Sequence, residues 1–343
     1  MKCPEHVEHA IYHCVSRVVD RRKVLGREEK EQLVRYMRLY ERLYGLRVVT
    51  FCIMSNHFHI LVEVPRRPEV LPSDEELMAL IRETHGPGVA DNLGNCFGRW
   101  REQGNLEAMA AERERWFGQM WDVSRYMKVL KQRFSQWFNG SRAERRKGTL
   151  WEERFRSLLV ENGEALQTVA AYIDLNPIRA GLVNDPKDYR WSGYGEACAG
   201  GRLATAGLLR AARASDPSRA VVSDEGEAPA PCFDLLAWYR EQLYGRGAET
   251  HDAEGRVVRR GFSQAQIEKV RDTRGRLPRH VFLHQRVRSF TDGALLGTQA
   301  FVESVFQARR HWFSSTRSSG SRRLQGLDPH DPLRTARDLG PTG

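Results

Sequence analysis

Residues 50–62 read TFCIMSNHFHILV, two runs rich in β-branched and aromatic residues on either side of a polar break at Ser55 and Asn56. Such runs predict two strands joined by a tight turn. His57 and His59 are two residues apart on the second run. Because successive side chains of a strand point to opposite faces, both imidazoles leave the same face. Two neighbouring imidazoles can bind one divalent metal ion and leave positions open for a substrate.

The order of the elements around this stretch indicates the fold class. The pattern predicts a strand over 10–18, an amphipathic helix over 27–44, and strands over 47–54 and 57–64. The order strand, helix, strand, strand is the first half of a ferredoxin-like split βαβ unit. We therefore expect an α+β fold with an antiparallel sheet that carries helices on one face.

The composition of the 343 residues favours a nucleic-acid partner. The formal net charge of +10 attracts polyanions. No apolar run approaches the roughly 18 residues of a membrane span, and the N-terminus has no apolar signal region, so no membrane is expected. Six cysteines without a Cys-x-x-Cys pair predict reduced thiols in the cytoplasm. No Gly-rich nucleotide loop is present, and no nucleotide cofactor is expected.

The chain divides into segments of different composition. Residues 1–195 are expected to form one domain, interrupted at 66–122 by a partly helical insertion. Residues 196–231 are rich in Ala, Gly, Ser and Pro, which predicts a linker. A mostly helical module is expected over 232–312, followed by a disordered tail over 313–343.

A second group of polar residues lies on the helix predicted over 163–175. Its apolar positions recur at helical spacing and form a buried stripe of Leu166, Val169, Ala170 and Ile173. Tyr172 and Asn176 lie one turn apart on the flank of this stripe, where Tyr172 can reach a cleft. The alternatives are a boundary tyrosine with its ring in the core and its hydroxyl in solvent, and an asparagine that ends the helix before Pro177.

These motifs, in this order, resemble those of a known family. The stretch with the two histidines resembles the His-hydrophobe-His motif of the single-tyrosine HUH transposases, in particular the REP-associated tyrosine transposases. The helix resembles the Tyr-x-x-x-Asn-Pro segment of that family. The resemblance covers about residues 5–195 and rests on five stretches, namely 12–17, 54–62, 150–161, 171–183 and 189–194.

The resemblance implies a fold, a reaction and a set of site residues. The fold would be that of the HUH endonucleases, and the substrate hairpin-forming, single-stranded DNA. Tyr172 would attack a phosphodiester and form a covalent 5′-phosphotyrosine. His57 and His59 would bind Mg²⁺ or Mn²⁺, with Asn176 as a third, oxygen ligand.

Basic residues near these motifs are candidates to bind the DNA backbone, and a solvated surface role is the alternative for each. They are Arg17, Arg21, Arg22, Arg145, Arg146, Lys147, Arg154, Arg156 and Arg179. A protein of this kind would work at the nucleoid. A monomer and a homodimer both stay open.

Three other functions are compatible with parts of the pattern. One is a DNA-binding protein of the same fold that does not cleave, such as a repressor of its own element. Another is an HUH nickase of the replication-initiation or conjugative type. The third is a metal-dependent hydrolase, which would need further His or Asp ligands close to His57 and His59.

Overall fold

The computed structural model describes residues 1–5, 7–141, 148–183, 186–214, 216, 235–244, 250–251, 257–259, 286–287, 295–315, 317–323, 332–336 and 341–342. The candidate residues Arg145, Arg146 and Lys147 lie outside these ranges, as does much of the mostly helical module predicted over 232–312. Within them, no helix combines the length and apolar character that a bilayer crossing requires. The chain forms two compact units, and each contains segments that are distant in sequence.

The first unit comprises residues 1–10, 18–47 and 62–152 and is mainly helical. Its helices are α1 (Arg27–Leu43), α2 (Asp74–His85), α3 (Pro87–Glu102), α4 (Leu106–Phe117) and α5 (Val123–Gly140). A single 3-10 turn spans Val19–Arg21. Helix α1 packs on α2 and α5, and α3 packs on α2 and α4. The helix predicted over 27–44 is therefore present with almost the same bounds.

Residues 66–122, predicted to be a partly helical insertion, contain α2, α3 and α4. Gly86 separates the first two helices with a φ of 92°, a conformation that favours glycine. The Asp74 carboxylate accepts hydrogen bonds from Arg101 and Arg113, which lie on α3 and α4. Ion pairs and the buried side chains of Leu77, Ile81, Phe97 and Phe117 thus hold the insertion together.

The second unit comprises residues 11–17, 48–61 and 153–343 and holds most of a seven-stranded sheet. The strands are β1 (His9–Arg17), β2 (Arg47–Ile53), β3 (His57–Pro65), β4 (Arg156–Val160), β8 (Leu295–Gly297), β9 (Arg322–Arg323) and β10 (Arg334–Thr335). Their order across the sheet is β2-β3-β1-β4-β8-β10-β9. Strands β1 and β4 are antiparallel, with Tyr12 opposite Leu159. The mixed architecture confirms the predicted α+β class.

The turn between β2 and β3 brings the motif histidines onto the sheet. The amide of Met54 donates to the carbonyl of His57 over 2.8 Å, which closes the connection at Ser55 and Asn56. The apolar runs on both sides are buried almost without interruption. Residues 50–62 therefore form the two strands and the tight turn that the sequence predicts.

The second unit also contains helices, among them the one that carries Tyr172. They are α6 (Glu164–Asp174), α7 (Asn176–Arg179), α8 (Gly193–Cys198), α9 (Arg202–Arg213), α10 (Leu235–Tyr244) and α11 (Gln299–Ala308), with 3-10 turns at Pro186–Asp188 and Arg310–Trp312. Every residue from Ala165 to Asp174 is buried. Since a stripe on one face was predicted, the burial of all faces requires an additional partner.

Helix α9 is that partner, and it lies in the segment that was predicted to be a linker. The Gln167 side chain donates to the Ala211 carbonyl over 3.0 Å and joins α6 to α9. At Gly207 a Cβ atom would lie 2.4 Å from the Val49 carbonyl oxygen, so this glycine allows α9 to approach β2 closely. The small residues that suggested a flexible chain instead permit close packing of a helix.

The described parts of the carboxyl-terminal region contribute strands as well as helices, whereas a mostly helical extension was expected. Strand β8 pairs with β4 in parallel, with Leu159 opposite Leu295 and Val160 opposite Leu296. Leu295 and Leu296 are fully buried. Two separate two-stranded sheets join β5 (Thr250–His251) to β6 (Val257–Arg259) and β7 (Arg286–Val287) to β11 (Pro341–Thr342).

Candidate active site

The two motif histidines lie together on β3. The centroids of the His57 and His59 rings are 5.1 Å apart, and the ring planes are inclined by 80°. The Nδ1 atom of His57 lies 2.7 Å from the amide oxygen of Asn56, at hydrogen-bonding distance. With a proton on Nδ1, His57 would present the lone pair of Nε2 to a metal ion.

The surroundings of His59 favour its neutral form. Burial lowers the pKa of His59 well below the ordinary 6.5, and the nearby His57, His13, Arg179 and Arg17 lower it further. Only the neutral imidazole has a lone pair with which to bind a metal ion. His59 is therefore available as a ligand over the physiological pH range.

Tyr172 lies beside His59, although the two residues are far apart in sequence. Its ring centroid is 6.2 Å from that of His59, and the two rings meet edge to face at 84°. The sequence predicts a boundary position for Tyr172, but only 3 % of its surface is exposed. The difference arises because the rings of His59 and His13 and the side chain of Arg179 cover the tyrosine.

Arg179 makes two contacts with Tyr172. Its guanidinium carbon is 4.2 Å from the centre of the tyrosine ring, the arrangement of a cation–π contact. Its Nη2 atom donates to the Tyr172 carbonyl over 2.6 Å. The short helix α7 makes both contacts possible, because it carries Arg179 back over the last turn of α6.

Asn176 begins α7 and does not simply end the preceding helix. Its side-chain nitrogen Nδ2 donates to the backbone carbonyls of Ile173 over 3.1 Å and Tyr172 over 3.3 Å. The side-chain oxygen is then the atom that could bind a cation. Among the described residues, no group of three or more His, Cys, Asp or Glu side chains could hold a metal ion. A donor set of two imidazoles and one amide oxygen, completed by the substrate, is nevertheless compatible with a divalent cation.

His13 is a third histidine at this site, and sequence reasoning did not identify it as a site residue. Its Nε2 atom is 2.9 Å from Nδ1 of His59, and the two rings stack with centroids 5.2 Å apart. It also meets the Tyr172 ring edge to face at 6.4 Å. The available signal was a polar residue within the apolar run that predicts β1.

Asp174 is a second residue that the sequence analysis missed. Its buried carboxylate accepts hydrogen bonds from the Thr50 hydroxyl over 2.9 Å, the Tyr239 hydroxyl over 2.8 Å and the Tyr194 amide over 3.1 Å. Burial raises its pKa to about 6, and these three donors oppose the rise. Asp174 therefore joins α6 to β2, α8 and α10, and fixes the helix that carries Tyr172.

The candidate DNA-binding residues occupy different positions. Arg17 and Arg179 are half-buried and contribute positive charge at His59. Arg154 and Arg156 are exposed just before and at the start of β4, and Arg156 lies 3.9 Å from Glu153. Arg21 and Arg22 are exposed on the first unit.

Comparison with known proteins gives a family match for the amino-terminal part of the chain. Residues 6–74 match the family described as IS200-like transposases. Among solved structures, one similar to this chain is that of a REP-associated tyrosine transposase bound to a REP hairpin. It has 11 % sequence identity and a TM-score of 0.34, over 68 % of this chain and 95 % of the other. No curated protein matches. The matched amino-terminal part, which includes His57 and His59, carries the sequence pattern of the IS200-like transposases.

Proposed function

We propose that the protein is a transposase that nicks and rejoins single-stranded, hairpin-forming DNA through Tyr172. The observation that carries this proposal is the juxtaposition of Tyr172 with His57 and His59, which are more than a hundred residues away in sequence. The ring centroids of Tyr172 and His59 are 6.2 Å apart. The ring centroids of His59 and His57 are 5.1 Å apart. All three residues belong to one chain, which supports a site formed within a single subunit.

The proposed reaction conserves the number of phosphodiester bonds. The Tyr172 oxygen attacks the scissile phosphorus, a bond forms between them, and the bond from phosphorus to the 3′ oxygen breaks. The phenol proton ends on the departing 3′ oxygen. In the reverse step, the 3′ hydroxyl of another strand attacks the phosphotyrosine and releases Tyr172. No nucleotide is consumed.

The protein residues would prepare both the nucleophile and the phosphate. A divalent ion, Mg²⁺ or Mn²⁺, held by His57, His59 and Asn176, would polarise the phosphate and stabilise the charge that develops on its oxygens. Arg179 stacks on the Tyr172 ring and adds positive charge beside it. Only 3 % of the surface of Tyr172 is exposed, so a side chain that covers it must move before a DNA strand can reach its oxygen. Arg179 is suited to this movement because it is only half-buried.

The basic side chains around the site suit a strand of DNA. Arg17, Arg154, Arg156 and Arg179 belong to the same unit as the histidines, and we propose that they bind phosphates there. Each phosphate contact should steepen the salt dependence of binding. For Arg21, Arg22, Arg145, Arg146 and Lys147 the same role remains a proposal from the sequence.

The experiment that tests the proposal is a nicking assay on a single-stranded hairpin oligonucleotide with Mn²⁺. Tyr172→Phe removes only the attacking oxygen, so we expect cleavage and the covalent adduct to disappear while hairpin binding is retained. Tyr36→Phe, which removes a phenol hydroxyl outside the site, is the matched control and should cleave normally. Cleavage by Tyr172→Phe would refute the assignment of the nucleophile.

The burial of Tyr172 favours one alternative function, DNA binding without cleavage. A phenol that stays covered cannot attack a phosphate, and the protein would then act as a regulator of the same fold. The assay separates the two functions, because a regulator would bind the hairpin and form no adduct under any metal condition.

A further inference from the structure

We propose that His13 is a positioning residue that selects the metal-binding tautomer of His59. The inference rests on the proposed metal site and deepens it. His13 lies on β1, next to β3 in the sheet, and only 1 % of its surface is exposed. Its Nε2 atom is 2.9 Å from Nδ1 of His59, so the two imidazoles share one hydrogen bond.

The chemistry of a neutral imidazole decides the direction of this bond. Each neutral ring carries one proton, and a ring that binds a metal through one nitrogen keeps its proton on the other. His59 uses Nδ1 for the contact with His13, which leaves Nε2 for the metal. The proton then resides on Nδ1 of His59, which donates to the lone pair on Nε2 of His13.

The same arrangement occurs at the other histidine of the motif, with a different acceptor. The side-chain oxygen of Asn56 accepts a hydrogen bond from Nδ1 of His57 over 2.7 Å. Both histidines thus make a hydrogen bond through Nδ1 to a neighbouring side chain, and both are set to bind through Nε2. Acceptors that hold a metal-binding histidine in this way fix its tautomer and its ring orientation.

The stacking of His13 adds an orientational constraint. The ring centroids of His13 and His59 are 5.2 Å apart, and the two ring planes are inclined by 24°. The centroid of the His13 ring is 6.4 Å from that of Tyr172, with an angle of 71° between the ring planes. His13 therefore packs against both proposed participants in the reaction. It cannot bind the same metal ion through Nε2 while that nitrogen accepts from His59, so a positioning role fits better than a third ligand.

Two substitutions separate the hydrogen bond from the packing. His13→Phe keeps an aromatic ring and removes the acceptor, whereas His13→Gln keeps an acceptor near the position of Nε2. We expect His13→Phe to weaken Mn²⁺ binding to the protein without DNA by about 10-fold to 100-fold, measured by calorimetry. His13→Gln should recover about 10-fold of this loss. Tyr12→Phe, on the opposite face of β1, should bind Mn²⁺ like the unmodified protein.

The tautomer can also be measured directly, without metal or DNA. Nitrogen-15 spectra of the metal-free protein show which ring nitrogen of His59 carries the proton, and the His59→Gln spectrum identifies its signals. We expect the proton on Nδ1. A proton on Nε2 would overturn the proposal, even if His13→Phe failed to fold. Equal Mn²⁺ affinity of both His13 variants and the unmodified protein would overturn it as well.

These measurements distinguish failure of this inference from failure of the proposed function. If the unmodified protein binds Mn²⁺ and His57→Ala does not, the metal site stands, and the His13 variants decide the positioning role. If the unmodified protein binds no Mn²⁺, the metal role fails, while the tautomer of His59 still decides whether His13 sets it.

Discussion

Tyr239→Phe tests how strongly the buried carboxylate of Asp174 holds the helix that carries Tyr172. The substitution removes one hydroxyl, which donates to Asp174 over 2.8 Å, and leaves the ring in place. Thr50 and the amide of Tyr194 remain as donors. Hydrogen bonds to a charged group contribute more to stability than bonds between neutral groups. The decrease in the free energy of unfolding caused by Tyr239→Phe therefore depends on whether Asp174 is ionised.

The pKa of Asp174 sets the pH dependence of this loss. Its folded-state pKa of about 6 is above the ordinary 3.8, so the stability it contributes is present below about pH 4 and falls as the pH rises through 6. The difference between the two pKa values corresponds to a fall of about 3 kcal/mol in the free energy of unfolding over that pH range. Tyr239→Phe removes a donor that favours the ionised form. The variant should therefore lose about 0.5–1.5 kcal/mol near pH 5, and about 1.5–3 kcal/mol near pH 8.

Urea denaturation followed by tryptophan fluorescence at both pH values measures these losses. Tyr189→Phe is the matched control, because its buried hydroxyl donates over 2.7 Å to the neutral carbonyl of Ile53. The control should lose about 0.5–1.5 kcal/mol at both pH values. A loss for Tyr239→Phe that does not increase with pH, or that equals the control near pH 8, would refute the assignment of Asp174 as an ionised acceptor.

Three further predictions concern the metal, the nucleophile and the insertion. Mn²⁺ at about 100 times its dissociation constant should raise the free energy of unfolding by about 2.7 kcal/mol, and EDTA should abolish cleavage; an unchanged melting temperature with Mn²⁺, or cleavage in excess EDTA, would contradict the metal site. Arg179→Ala should cost about 1–2 kcal/mol of stability and Arg179→Lys less, because a lysine keeps a positive charge near the Tyr172 ring. Equal losses in thermal denaturation would argue against a cation–π contribution. Arg67→Ala breaks the exposed pair with Glu114, so it should cost less than about 1 kcal/mol. A larger loss in thermal denaturation would contradict the small contribution expected of an exposed ion pair.

Local sequence patterns were sufficient for the elements nearest the motif. The strands around residues 50–62 and the helix over 27–44 follow from the periodicity of apolar residues, which local chain geometry dictates. The alternation in residues 57–59 also placed both histidines on one face of β3. The proximity of Tyr172 to them was implied by the family resemblance alone, because no local pattern relates residues so far apart.

The missed features depend on contacts between distant segments. His13 gave only a polar position in an apolar strand, and its role becomes visible because β1 lies next to β3. Helix α9 was mistaken for a linker because alanine and glycine are typical both of flexible chains and of closely packed helices. The burial of Tyr172 depends on Arg179, which a short helix returns to the site, and no periodicity indicates that return.

The parallel pairing of β8 with β4 has a consequence for shortened forms of the protein. Leu295 and Leu296 lie opposite Leu159 and Val160, and the Glu161 amide donates to the Leu296 carbonyl over 2.8 Å. A chain that stops before residue 295 would leave an apolar strand with unsatisfied amides at the rim of the sheet. An exposed edge strand of this kind can pair with strands of other molecules. The isolated amino-terminal portion should consequently self-associate, and this tendency would come from a missing neighbour and not from a defect in its own folding.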